Sequence, residues 1–375
     1  MRTVDSIRRI YIDRSLAEGA VVQTVLTRAP SHVQIEWIDD PRAILQDYQE
    51  SGALVEKEDL LLYRFPGRFL SGCPGSDGMV CCQYFVINLG VGCLFDCHYC
   101  YLQSFLNNPL MTVFGNLEDL FSELDERTRN KNFQFRIGTG EYTDSLALEP
   151  LTGLSAHLIE YFAGHQNATL ELKTKSENVD SLLSLDHRGH TVLAWSINPP
   201  ALIETVEPGT ASLEERLGAA ARAERAGYRL AFHLDPLIYF EGWEPAYHRL
   251  IEQVFDYVRP DSVAWISTGS FRYSGPLKEV IQTRFPEDRL TRQELVAGPD
   301  GKHRYFRSIR AEMFRSIKGK IESVDPRLFL YLCMETQKMW SSVFGFVPGS
   351  GKNLDALFEK RRLQMESLSA GPTRL

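Results

Sequence analysis

The sequence predicts an α/β protein built on a partial (β/α)6 barrel, with an N-terminal α/β extension and a C-terminal extension of hairpin and helices. Six short apolar runs rich in β-branched and aromatic residues predict the barrel strands, at 84–90, 133–139, 169–174, 191–197, 229–235 and 263–268. Helical patterns separate them, most clearly at 117–127, 151–163, 212–226 and 244–258. Strands that alternate with helices in this way form a parallel sheet with right-handed crossovers.

An N-terminal region precedes the barrel. Two β-like runs at 10–12 and 33–37 and a helical pattern at 42–50 predict a small α/β unit, and 66–83 predicts an irregular approach to the first barrel strand. The expected domains are an N-terminal region, a barrel and a C-terminal extension, at 1–80, 81–270 and 271–375.

The helix at 212–226 has a signal at each end. Ser212 and Glu215 have the spacing of a capping box, in which each side chain accepts a hydrogen bond from the other's backbone N–H. Gly227 predicts the stop, because glycine tolerates the left-handed conformation that ends many helices.

Composition indicates a globular protein of the reducing cytoplasm. The 375 residues are 43% hydrophobic and 24% charged, and no apolar run is long enough for a membrane span. The N-terminus lacks the apolar core of a signal peptide, and the odd number of cysteines, 7, argues against a disulfide framework.

The net charge of -8 argues weakly against a nucleic-acid partner, but the charge is uneven. Residues 271–320 hold 12 Lys and Arg against 6 Asp and Glu, which makes this segment +6. Two interpretations stay open, a local contact with phosphate and an ordinary solvated helix face.

The strongest chemical signal is the run VGCLFDCHYCYLQSF, in which Cys93, Cys97 and Cys100 have the spacing C-x3-C-x2-C. Three thiolates suit a [4Fe-4S] cluster with one iron open. In radical S-adenosylmethionine (SAM) enzymes, that iron binds the amino and carboxylate groups of SAM, which the cluster splits to give a 5′-deoxyadenosyl radical. The alternatives are zinc, for which His98 is an awkward fourth ligand, and simple packing.

Polar or glycine residues follow every predicted barrel strand. In parallel barrels the chemistry gathers at the C-terminal ends of the strands, so these segments are expected to converge on one mouth. They are the cysteine loop and the segments at 138–145, 173–176, 196–199, 233–236 and 267–270.

These segments resemble the spore photoproduct lyase family of radical SAM enzymes. The resemblance covers roughly 80–345 and lies in GCLFDCHYCYLQ, TGEYTDS, LKTKS, WSINP, HLDP and GPDGKHRYFRSIRAEMF. It implies a radical SAM barrel, a [4Fe-4S] cluster, SAM, a low-potential electron donor, and lyase activity in DNA repair that reverses the thymine dimer called spore photoproduct.

The resemblance also implies site residues. Cys93, Cys97 and Cys100 resemble the metal ligands, Tyr99 resembles the aromatic that contacts SAM, and Tyr101 is a candidate for a radical relay. The other candidates for SAM binding are Ser145, Lys173, Lys175, Ser196 and His233.

One position departs from the family pattern. The spore enzymes carry a cysteine, which gives the closing hydrogen atom, before a T-S-D triplet; here Glu141 precedes Tyr142-Thr143-Asp144. A carboxylate does not donate a hydrogen atom as a thiol does. Either another residue donates the hydrogen atom or the substrate differs. The candidate donors are Tyr99, Tyr101 and Cys333, and a buried apolar cysteine is the simpler interpretation of Cys333.

The C-terminal stretch 294–307 predicts a hairpin around Gly298-Pro299-Asp300-Gly301. A base lesion in a duplex must be flipped or kinked outward to reach a barrel mouth. Three cations, Lys302, Arg304 and Arg307, are expected to lie on one exposed surface and to hold phosphate. Tyr305 is expected to stack on a base.

Two other functions stay open. One is a radical SAM reaction of the same family on a different nucleic-acid or small-molecule substrate, which Glu141 favours. The other is a non-catalytic iron–sulfur or zinc module, which the polar strand ends disfavour.

Overall fold

The computed structural model describes residues 1–51, 57–76, 78–80, 82–130, 132–348 and 351–369. Two compact units are present. The first unit comprises Met1–Gly72, Tyr84–Thr191 and Glu207–Ala211. The second unit comprises Cys73–Gln83, Val192–Val206 and Ser212–Leu375.

The first unit contains nine strands and six α-helices in its described residues. The strands are β1 (Arg9–Asp13), β2 (Gln34–Ile38), β3 (Asp59–Tyr63), β4 (Leu70–Gly72), β5 (Phe85–Ile87), β6 (Gly90–Val91), β7 (Met111–Phe114), β8 (Phe135–Gly138) and β9 (Ala168–Thr174). The helices are α1 (Ala20–Arg28), α2 (Pro41–Ser51), α3 (Leu102–Phe105), α4 (Leu117–Arg127), α5 (Glu149–Thr152) and α6 (Leu154–Ala163).

The second unit contains the remaining elements. Its strands are β10 (Thr191–Ser196), β11 (Arg229–Leu237), β12 (Val263–Ser270), β13 (Arg272–Tyr273), β14 (Val296–Ala297), β15 (His303–Arg304) and β16 (Leu330–Leu332). Its helices are α7 (Pro200–Val206), α8 (Leu213–Arg225), α9 (Trp243–Tyr257), α10 (Gly275–Arg284), α11 (Arg307–Val324), α12 (Gln337–Phe344) and α13 (Gly351–Ser369).

The first unit has two strand arrays. One is a five-stranded sheet in the order β2-β1-β3-β7-β6, parallel except at β6. In the other, β5, β8 and β9 run parallel and β4 pairs antiparallel with β5. The central strand β3 is buried at Leu60, Leu61 and Leu62, which is typical of parallel sheets covered on both faces.

The second unit pairs β10, β11, β12 and β16 in parallel. Every residue of β10 and β12 is buried, so both strands are covered on both faces. A small antiparallel sheet has the order β13-β15-β14.

The six predicted barrel strands correspond to β5, β8, β9, β10, β11 and β12. The predicted helix at 117–127 has the bounds of α4, and the capping box of α8 is present, since Glu215 N–H donates to Ser212 Oγ at 3.2 Å and Ser212 N–H to Glu215 Oε2 at 2.7 Å. The predicted helix at 151–163 is broken, because Gly153 adopts a φ of 64° and ends α5.

The sequence did not predict β3 or β7. Both are short and buried, and a short apolar run without alternation does not distinguish a strand from a helix. In the part of the chain that the structure describes, no helix combines the length and apolar character needed to cross a membrane.

Gly90 sets the approach of β6 to β7, immediately before the cysteine loop. A Cβ at this position would lie 2.1 Å from the carbonyl oxygen of Thr112. We expect Gly90→Ala to destabilise the fold by about 1–3 kcal/mol, because the strand pair must separate. Thermal unfolding measures the loss. Gly72→Ala is the matched control, since a Cβ there has nothing within 4 Å, and equal stability of the two variants would contradict the packing argument.

Candidate active site

The cysteine loop follows β6 and lies within the first unit. Cys97 is buried, and Cys93 and Cys100 are half-buried. The loop folds back on itself, because Cys100 N–H donates to the carbonyl oxygen of Cys97 at 3.1 Å. The amide of Gln103 donates to the carbonyl oxygens of Cys97 and His98, each at 2.9 Å, and so fixes the turn between the second and third thiols.

The three thiols share one electrostatic environment. Burial is the largest cause that raises the pKa of each, to about 12 for Cys93, and Cys100 raises the pKa of both other thiols through its charge. Lys57 lowers the pKa of Cys93 and Cys100, and Lys175 lowers that of Cys97 and Cys100. Thiolates in such a place need further positive charge, which a bound metal centre supplies.

The three thiols have the donor chemistry of an iron–sulfur cluster. Among the described residues, no group of three or more His, Cys, Asp and Glu side chains is arranged to hold a metal ion. A cluster is larger than one ion, and each cysteine binds a different iron, so three neighbouring thiols on one loop meet its requirement.

Asp144 ties the ends of β8 and β9 together. Its Oδ1 accepts from Leu146 N–H at 3.0 Å, from Ala147 N–H at 2.9 Å and from the Thr174 hydroxyl at 2.6 Å. Its Oδ2 accepts from Lys175 N–H at 2.8 Å. Sequence reasoning missed this role of Asp144, for which the available signal was its position in the family triplet.

Ser145 and Lys173 lie side by side at these strand ends. Lys173 N–H donates to Ser145 Oγ at 3.1 Å, and Ser145 N–H donates to the Lys173 carbonyl oxygen at 3.2 Å. The hydroxyls of Ser145 and Thr139 lie 2.6 Å apart. The two predicted SAM-binding residues are therefore brought together within the first unit.

Tyr99 belongs to a charged group beside Cys97. Its hydroxyl donates to the carboxylate of Glu207, and the Lys175 ammonium lies 5.6 Å from the centre of its ring. Glu207 is only 1% exposed, and its charge raises the pKa of Cys97. Sequence reasoning missed Glu207, which lies far along the chain, in the segment VEPGT, with no motif of its own.

Tyr101 contacts Glu141 directly. Its hydroxyl lies 3.0 Å from both the backbone carbonyl oxygen and the carboxylate Oε1 of Glu141. Loss of solvation and then the negative charge of Glu141 raise the pKa of Tyr101 above its ordinary value, so the group stays a phenol. The Tyr101 ring is 5.7 Å from that of Phe105, which stacks on Tyr142 at 6.0 Å.

The remaining candidates lie in the second unit. Ser196 ends β10, and its carbonyl oxygen accepts from Arg216 at 2.8 Å. His233 is buried, and its Nδ1 lies 2.6 Å from the hydroxyl of Ser267. Ser196 is the last residue of β10, and His233 lies at the middle of β11.

Cys333 follows β16 and is half-buried. Its backbone N–H donates to the Thr268 carbonyl oxygen at 2.8 Å. Burial, followed by the charge of Asp235, raises the pKa of Cys333 well above its ordinary value, although Arg272 opposes the shift. The sulfur therefore keeps its proton, which a hydrogen-atom donor requires.

The predicted hairpin is present, as β14 pairs antiparallel with β15. The expectation that its cations share one exposed surface is wrong for Arg304, which is 2% exposed and forms an ion pair with Asp300. Tyr305 is 1% exposed, and its hydroxyl accepts from Tyr239 N–H at 3.0 Å, so it does not offer a stacking face. A guanidinium this deeply buried needs a carboxylate partner, and the turn supplies one.

Unlike Arg304 and Tyr305, the other two candidates, Lys302 and Arg307, are not fully buried. Lys302 is half-buried, and its ammonium donates to the Ser76 hydroxyl at 3.2 Å. Arg307 is exposed at the start of α11. For these two cations the role in phosphate binding stays a prediction.

The fold and the three-cysteine loop define a radical SAM protein. A family model described as spore photoproduct lyase matches residues 79–324. The chain belongs to the spore photoproduct lyase family, which confirms the predicted family and fold class.

Two curated relatives are similar to the chain. It is 32% identical over 215 residues to the spore photoproduct lyase of Bacillus subtilis (strain 168), and 32% identical over 217 residues to that of Geobacillus sp. (strain Y412MC61). Each alignment covers 56% of the chain and 63% of the relative, so less than two thirds of each relative is matched.

The fold is also similar to that of solved structures. A spore photoproduct lyase complexed with dinucleoside spore photoproduct superposes with a TM-score of 0.74 at 26% identity. The match covers 87% of the chain and 99% of that structure. A variant of the same enzyme with bound AdoMet and dinucleoside spore photoproduct gives a TM-score of 0.74 at 25% identity.

Replacing Cys93, Cys97 or Cys100 by Ala tests the metal site. If the three thiols hold an iron–sulfur cluster, each replacement should abolish the iron–sulfur absorbance and all SAM cleavage, because each thiol would supply one of only three ligands. Visible absorption and iron content of the anaerobically reconstituted protein measure the effect. Cys73→Ala is the control and should retain both properties; full activity in any variant of the loop would show that the ligand assignment is wrong.

Proposed function

We propose that the chain is a radical SAM lyase that repairs the spore photoproduct lesion in DNA. The observation that carries this proposal is the match over 99% of a solved structure that holds dinucleoside spore photoproduct. The three-cysteine loop, with Tyr99 and Lys175 beside it, supports the same chemistry.

In this proposal Cys93, Cys97 and Cys100 hold a [4Fe-4S] cluster and SAM is the second cofactor. When bound, the cluster supplies the electron that splits SAM and generates the 5′-deoxyadenosyl radical. A low-potential electron donor is then required as a partner.

The chain's own residues bind and orient SAM. Lys173 and Lys175 supply positive charge for its carboxylate, at the end of β9. Ser145, Ser196 and His233 supply polar groups at the ends of other strands, and the Tyr99 ring gives an apolar contact. Glu207 fixes Tyr99 through its hydroxyl, so that this ring keeps one orientation.

Tyr101 is the proposed donor of the closing hydrogen atom. Its phenol is protonated, and Glu141 holds the hydroxyl from the position at which the spore enzymes carry a cysteine. Glu141 thus positions the donor and does not replace it. Cys333 is the second candidate, because its thiol also keeps its proton.

A second function is a radical SAM reaction of the same family on another nucleic-acid or small-molecule substrate. What favours it is Glu141, which stands where the resemblance places the donor thiol, because a carboxylate does not donate a hydrogen atom as a thiol does. The two functions predict different products from one substrate. Dinucleoside spore photoproduct, incubated with the reconstituted protein, SAM and dithionite, yields the undamaged dinucleotide only under the first.

Tyr101→Phe tests the donor. Removing the hydroxyl should lower the yield of undamaged dinucleotide at least tenfold, while 5′-deoxyadenosine still forms, because the first hydrogen abstraction does not need Tyr101. Mass spectrometry of both products measures the split. Cys333→Ala is the comparison and should change the ratio little; if Cys333→Ala uncouples the products and Tyr101→Phe does not, the donor is Cys333.

Lys302→Glu with Arg307→Glu tests the DNA interaction. We expect weaker binding of duplex DNA and a shallower dependence of log K on log salt, by about 1 for each phosphate that the protein no longer neutralises. Fluorescence anisotropy over a salt series gives both quantities. Arg188→Glu, an exposed cation of the first unit, is the control. Affinity unchanged in the double variant would remove this surface from the proposal.

A further inference from the structure

Lys57 of the N-terminal region lies against the cysteine loop. Its ammonium donates to the carbonyl oxygen of Phe95 and forms an ion pair of 3.2 Å with Asp96. Phe95 and Asp96 stand between the first two thiols of the loop, Cys93 and Cys97. One side chain from outside the barrel therefore contacts the segment on which the thiols are mounted.

The backbone of Lys57 has an unusual conformation. Lys57 adopts a φ of 58°, in the left-handed region that residues with a side chain seldom occupy. Such a conformation persists where the surrounding contacts favour it strongly, and it clusters at functional sites. The residue in this conformation is also the one that contacts Phe95 and Asp96, and it stands just before β3.

The charge of Lys57 is poorly screened. The Lys57 and Asp96 side chains are only 21% and 25% exposed. Coulomb interactions are stronger in partly buried sites than in water, and salt screens them less.

We propose that Lys57 is a positioning residue for the iron–sulfur cluster, which fixes the Phe95–Asp96 backbone and whose positive charge favours the reduced form of the cluster. Reduction adds one negative charge, so a fixed cation beside the ligands stabilises the product of that step more than the reactant. This inference rests on the proposed function only in requiring the cluster, and it is independent of the substrate.

Substitutions of Lys57 separate its effect on the loop backbone from the effect of its charge. Lys57→Gln keeps an N–H donor but removes the charge, Lys57→Met keeps a flexible side chain of similar volume and removes both the donor and the charge, and Lys57→Arg keeps the charge. Each is prepared as the full chain and reconstituted anaerobically. Iron content reports positioning, and a redox titration followed by electron paramagnetic resonance reports the potential.

We expect Lys57→Gln to bind iron as the unaltered chain does, while its reduction equilibrium falls about tenfold, which is a 59 mV shift to lower potential for one electron. Lys57→Met should also lose iron, and Lys57→Arg should restore the potential. Asp96→Asn should move the potential the opposite way, because it removes a negative charge. Lys318→Gln, in an ion pair of the second unit, is the control.

Equal potentials in Lys57→Gln and the unaltered chain would overturn the electrostatic role even with the cluster fully bound, and leave the proposed function standing. A shift of the same sign in Asp96→Asn would overturn it as well, since unfolding of the loop and not charge would then be the cause. An unaltered chain that binds no [4Fe-4S] cluster would overturn both the inference and the proposed function.

Discussion

Three thiols on one loop, one buried and two half-buried, are the constraint on which the rest of the first unit depends. Burial raises the pKa of Cys93, Cys97 and Cys100, so the loop accepts negative charge only where positive charge is near. Lys57 and Lys175 supply it from two distant parts of the chain. Holding the loop between these cations requires a rigid frame, which the antiparallel pairing of β6 with β7 and the hydrogen bonds of Gln103 provide.

Hydrogen bonds in the first unit also fix the orientation of polar groups at the strand ends. Asp144 accepts four hydrogen bonds and so joins the segment after β8 to the end of β9, where Lys173 and Lys175 lie. A carboxylate with this many donors is held in one place, and the backbone around it is held too. Glu141, three residues earlier, holds Tyr101. The two carboxylates of this loop therefore differ in role. Asp144 holds the backbone, and Glu141 holds the hydroxyl of the proposed hydrogen-atom donor.

Much of this could be predicted from the sequence. The barrel strands and the helices α4, α8 and α9 follow from periodicity and end signals, and the candidate metal ligands follow from cysteine spacing. Other features depend on contacts between distant residues, which local patterns do not encode. Lys57 and Glu207 carry no motif, and they reach the loop only after folding. In the hairpin, the turn was predicted correctly but not the side on which Arg304 and Tyr305 are buried, because strand alternation does not say which face is covered.

Repair in D2O tests the central claim most directly, because it asks at once whether the lesion is repaired and where the closing hydrogen comes from. Phenol and thiol protons exchange with solvent, whereas the C–H hydrogens of 5′-deoxyadenosine do not. The account predicts that dinucleoside spore photoproduct, incubated with the reconstituted protein, SAM and dithionite in D2O, is converted to the undamaged dinucleotide carrying one deuterium by mass spectrometry. An intact lesion beside newly formed 5′-deoxyadenosine, or a repaired dinucleotide without deuterium, would contradict it.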